Sequence, residues 1–137
     1  MTAYAFTAEL AKPLPQALET LRAALAAEQM GIVSEVDMQA TLKAKLGLDS
    51  PPQRLLGLCS PRIAHALVSA EPDIAALLPC GGSIAEPTPG RTRIVLQDPR
   101  VILQASGSTQ AEVRDALEQA RTAVQRVAQR LSAGQEA

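Results

Sequence analysis

The chain has 137 residues, a formal net charge of -1 and 47% hydrophobic residues. That is enough apolar material to bury a core, and too much for a disordered chain. One Tyr, one Phe and no Trp leave no aromatic platforms for stacking bases, and no basic excess neutralises phosphates, so nucleic acid is not an expected partner.

In chain order, residues 3–10 alternate loosely and read as a first strand. Pro13 and Pro15 suit the opening turn of a helix, and Leu14, Leu18, Leu21 and Leu25 carry one apolar stripe on through Met30. Gly31 suits the left-handed position past the end of that helix. Residues 32–36 form a second strand, and Asp37 is placed to cap a short helix running to Leu46. Residues 47–53, with Pro51-Pro52, read as a surface connection.

Residues 54–59 form a third strand, apolar enough to belong inside a sheet. Ser60-Pro61 then opens a helix, the serine as cap and the proline at N1, with Ile63, Ala64, Leu67 and Val68 on one side. It ends near Glu71-Pro72, because the residue before a proline avoids helical geometry. Residues 73–78 leave room for a short extra turn. Residues 83–86 and 91–96 form a hairpin around Pro87-Thr88-Pro89-Gly90, which Asp98-Pro99 ends or bends.

Thr109-Gln110-Ala111-Glu112 fits a capping box at the head of a long helix over about 109–132. Its seam of Val113, Leu117, Ala120, Val124, Val127 and Leu131 is expected to cover a sheet of the same chain. Interspersed strands and helices with an antiparallel hairpin predict an α+β fold. The expected form is a two-layer sandwich, a largely antiparallel sheet with helices on one face, in a single domain spanning 1–137.

Two cysteines carry the best candidate chemistry. Cys59 lies in Leu58-Cys59-Ser60-Pro61 and Cys80 in Leu78-Pro79-Cys80-Gly81-Gly82. The break at Pro72 lets the chain double back, so both thiols are expected at the same end of the sheet. Each reads either as a small buried apolar residue or as a reactive or ligand-holding thiol. For Cys59 the helix start that follows favours the thiolate. A Cα separation above about 7 Å would exclude a bridge.

His65 makes a C-x5-H pair with Cys59; it reads as an ordinary histidine or, alternatively, as a ligand or base. Asp37 reads as a cap. Met30 and Met38 are core residues or soft ligands for Cu(I), and Arg91 and Arg93 form a solvated face or an anion contact. No glycine-rich phosphate loop and no paired acids at catalytic spacing are present. No stretch approaches the roughly 20 apolar residues of a membrane span, and the first residues do not open like a secretory leader. A cytoplasmic protein with reduced thiols and no membrane partner is expected.

With these motifs in order, the chain resembles domain-of-unknown-function family 302. AALAAEQMGIVSEVD, ending at Asp37, resembles the family's helix-glycine-strand entry, and Thr41 to Gly47 its next helix. RLLGLCSP, ending at Pro61, resembles its strand closing on Cys-Asn-Pro, and EPDIAALLPC, ending at Cys80, its second cysteine motif. The resemblance covers about residues 4–104. Ser60 stands where the family has Asn, and Gly81-Gly82 where it has Asn-Val. The resemblance implies a compact α+β dimer with a fold similar to that of the TATA-binding protein, and no defined activity.

The function expected is a small homodimeric module that binds a small-molecule ligand or a partner near Cys59 and Cys80. Ser60 and the helix start after it would line the site, with Asp37 and His65 as further candidates. Catalysis is left open and no cofactor is assigned. The alternatives are a thiol-dependent redox or sulfur-transfer protein, one cysteine attacking and the other resolving, and a soft-metal site held by both thiolates.

Overall fold

The computed structural model describes residues 2–134. Five strands form one antiparallel sheet in the order β1-β5-β4-β3-β2: β1 is Ala5–Leu10, β2 Gly31–Asp37, β3 Gln53–Cys59, β4 Cys80–Thr88 and β5 Arg91–Gln97. The helices are α1 (Leu14–Ala26), α2 (Met38–Leu46), α3 (Pro61–Ala70), α4 (Arg100–Ser106) and α5 (Ala111–Ala133), with a 3-10 helix at Pro72–Leu77. This is the α+β arrangement the sequence implies, an antiparallel sheet with helices on one side. β3 lies inside the sheet, between β4 and β2, as its apolar run requires.

Alternation along the strands sends Ala8, Leu10, Leu56, Leu58, Ile84, Ile94 and Leu96 to one face. There they meet Leu14, Leu18, Leu21 and Leu25 of α1 and Val124, Val127 and Leu131 of α5. A second cluster joins Ile63 and Leu67 of α3, Ile74 of the 3-10 helix and Ile102 of α4 to Val113, Leu117 and Ala120 of α5. The predicted seam of α5 is therefore buried along its whole length: its first half packs under α3 and its second half on the sheet. Each large apolar side chain so buried contributes about 1.5–3 kcal/mol.

The opposite face of the sheet is open. One row runs across all five strands through Val36, Leu55, Ser83, Val95 and Thr7. Val36 and Leu55 in that row are 45% and 42% exposed.

Three local expectations are corrected. α1 stops at Ala26, and the left-handed residue after it is Gln29, at φ 58°, while Gly31 begins β2. The backbone N–H groups of Glu28 and Met30 both return to the Leu25 carbonyl, each at 2.9 Å, so the turn closes before Gly31 is reached. The capping box at Thr109 does not form: Gln110 is the cap residue of α5, without a side-chain cap bond. There the Ser108 hydroxyl instead accepts the Gln110 N–H at 3.3 Å.

The third correction is α4, where the sequence predicts only an end or a bend of the hairpin at Asp98-Pro99. Ile102 is its only buried residue, so no periodicity marks it. Asp98 starts it by accepting the Arg100 N–H at 3.0 Å. No helix among the described residues is long and apolar enough to cross a membrane.

Candidate functional site

Cys59 is the last residue of β3, and α3 starts two residues later. Ser60 holds the cap position, and its carbonyl accepts the Ala64 N–H at 2.9 Å. Its side chain makes no cap bond, so the expected serine cap is not formed. The chain turns at Glu71-Pro72, runs through the 3-10 helix and the cis Leu78–Pro79 peptide, and re-enters the sheet at Cys80. The expected doubling back is realised: Cys80 pairs with Leu58, the neighbour of Cys59. Both cysteines are free thiols and half-buried.

Around them lies a cavity of about 240 Å³. Met30, Leu67, Leu117 and Ala120 give it apolar walls, Ile63 and Pro79 close its flanks, and Cys59, Ser60 and Cys80 are its only thiol or hydroxyl groups. An apolar cavity of about 150 Å³ is already enough to take up benzene. Ser60 and Ile63 also border a wider polar groove of about 690 Å³ that carries Glu28, Arg62, Asp115, Glu118 and Arg126.

Glycine at position 57 helps to shape the site. A Cβ there would run into the Ser34 hydroxyl and stand 2.7 Å from Cγ of Pro79. The Pro79 ring thus lies against β3 only because that side chain is missing, and Cys80 follows directly from it.

Burial pushes the Cys80 thiol up to about 11, and the neighbouring Cys59 adds to the rise. At neutral pH that thiol is protonated, whereas a nucleophilic or redox-active cysteine needs a lowered pKa.

The other candidates lie apart. Asp37 caps α2, its carboxylate accepting the Ala40 N–H at 2.9 Å. It pairs with Arg54 at the end of β2 opposite to Gly31, which pairs with Cys59. His65 is exposed on α3 and does not line the cavity. Met38 follows Asp37 at the far end, whereas Met30 lines the cavity wall. Arg91 and Arg93 both pair with Glu9, at 3.6 and 3.2 Å, on the exposed hairpin. No group of three or more His, Cys, Asp or Glu side chains suited to a metal occurs among the described residues.

Leu117 and Ala120 are site walls that sequence reasoning counted only as seam. The helical spacing that revealed their burial carries no sign of what they are buried against.

The family model described as domain of unknown function DUF302 matches residues 6–131. The match runs on through α5, further than the cysteine motifs reach. The crystal structure of an uncharacterized conserved DUF302 protein from Bacillus stearothermophilus is similar, with a TM-score of 0.76 and 22% sequence identity. The similarity covers 95% of this chain and 97% of that one. At that identity the likeness speaks for the fold alone. No curated protein matches the sequence.

Proposed function

We propose that this chain, which belongs to the DUF302 family, is a homodimeric binding module that takes a small apolar ligand into the cavity beside Cys59 and Cys80. The observation that carries this reading is the cavity itself. It is a half-open hollow of about 240 Å³ with an almost wholly apolar lining, large enough for a benzene-sized group. Its apolar walls favour a ligand bound by burial more than by hydrogen bonds. The homodimer is supported by the open face of the sheet, where Val36 and Leu55 stay exposed; exposed apolar patches commonly mark interaction surfaces.

The redox and sulfur-transfer reading has less support, since a Cys80 thiol at about 11 is a poor nucleophile at neutral pH. A soft metal would find Met30 beside the two thiols, but would have to displace a tightly held proton from Cys80. A cytoplasmic setting would keep both thiols reduced.

Methyl NMR with benzene as the probe tests the cavity. Saturable shifts are expected at Met30, Ile63 and Leu67, and Ala64→Phe, which fills the cavity from its wall, should abolish them. Shifts that never saturate, or that persist in the filled variant, would count against the reading.

A further inference from the structure

We propose a second binding site, for a small organic carboxylate, in the hollow bordered by the chain before β1, the start of α4 and α5, where Arg121 and Arg100 grip the carboxylate. This hollow measures about 430 Å³ and shares no residue with the cavity at Cys59 and Cys80.

Its charge is the first argument. Asp98 has a side chain only 4% exposed and pairs with both Arg100, at 3.0 Å, and Arg121, at 3.3 Å. Two guanidinium groups on one carboxylate leave one positive charge in excess, and no other charged side chain among the described residues lines the hollow. Glu9, Glu28 and Glu35 each hold two arginines as well, but those are 38–62% exposed. Arg121 is only 24% exposed, and its desolvation is a cost that a second anion would offset.

The second argument is the donors left over. The Arg121 guanidinium lies 5.5 Å from the centre of the Phe6 ring, which fixes its plane by a cation–π contact. Its Nε bonds to Asp98, while its Nη1 and Nη2 meet no acceptor among the described residues. Such a planar fork matches the two oxygens of a carboxylate. Thr2 and Thr7 also border the hollow.

The third argument concerns the rest of the ligand. Phe6, Ala5 and Ala128 give the hollow an apolar wall, and its volume exceeds the roughly 150 Å³ that accepts benzene. An anion with a short hydrocarbon body fits that lining better than a bare inorganic ion. With the ligand bound, two guanidinium groups face two carboxylates and the charges balance.

Titration of the protein with butyrate, followed at the Arg121 Nε–H and Phe6 ring resonances, tests the site. Saturable shifts are expected with butyrate and none with n-butanol or n-butylammonium. Arg121→Lys keeps the charge but removes the fork, and should weaken butyrate by about tenfold. Should that variant fail to fold, Arg100→Gln, at a side chain 54% exposed, carries the test, with weakening of a few-fold expected. The absence of saturable shifts with butyrate would overturn the site. Inorganic phosphate binding as tightly as butyrate would overturn the assignment to an organic carboxylate, and unchanged butyrate affinity in Arg100→Gln would overturn the two-arginine grip.

Discussion

Cys80 lies directly opposite Leu58 across the β3–β4 pair, one register position out of step with Cys59. Side chains alternate along a strand, so Cys80 turns with Leu58 toward the helices, where it packs against both apolar clusters. Cys59 belongs to the other face, and both reach one cavity because it sits where the two strands end. Air oxidation of the folded monomer is therefore expected to leave both thiols free. Intact mass spectrometry reads this directly: loss of two hydrogens without dimerisation would contradict the offset.

The same burial makes Cys80 a source of alkaline instability. Its folded value of about 11 stands above the ordinary 9.0. A group raised on folding stabilises fully below its unfolded pKa, and that contribution is lost as pH rises through the folded one. The amount is up to about 3 kcal/mol, from a rise of that size. Urea midpoints should fall between pH 9 and pH 11 in the parent protein, and Cys80→Ala should flatten that limb.

Gly57→Ala should disturb the site from behind. The new Cβ meets the Ser34 hydroxyl, which can rotate away, and the Pro79 ring, which is stiff. Overpacking of this kind typically costs 1–3 kcal/mol. Loss of stability without rescue by Ser34→Gly would point to Pro79 as the clash that matters. Full rescue would leave Pro79 without a role.

The reach of sequence reasoning here follows from which residues repeat. The α5 seam was legible because Val113 to Leu131 recur at steps of four and three, and all six seam positions are buried. The meeting of Cys59 and Cys80 was legible because Pro72 forbids one straight helix between them. The Arg121–Asp98 pair was not, since the two residues stand 23 apart on elements whose docking no local pattern encodes. α4 was hidden because a single buried residue has no period. Ser60 suits a helix cap by type, yet its side chain makes no cap bond and the residue lines the cavity instead.

The open sheet face yields a test of the homodimer. Leu55 is the second position of the row across the open face, between Val36 and Ser83, and at 42% exposure it leaves room for a charged side chain. Leu55→Lys is expected to leave the fold intact by circular dichroism and to convert a dimer into a monomer in sedimentation velocity. A dimer that survives this change must use another surface, such as the edge strands β1 or β2, whose unpaired backbone groups also invite association.

Glu86 holds α1 in place from 72 residues away. Pro13, the cap residue of that helix, offers no side-chain acceptor, and no acid lies in the first turn. The Glu86 carboxylate fills both roles, accepting the Leu14 N–H through one oxygen and the Gly90 N–H through the other, each at 2.8 Å. The Gly90 bond and then the Leu14 bond lower its pKa from the ordinary 4.5, against a smaller desolvation effect. A carboxyl lowered on folding stabilises above its unfolded pKa and loses that contribution as pH falls through the folded one. Glu86→Gln should therefore melt at a lower temperature than the parent at neutral pH, and the two should converge in acid, where the parent carboxyl is protonated too. A gap that stays constant down to low pH would mean that Glu86 acts through packing, with its charge contributing nothing to the start of α1.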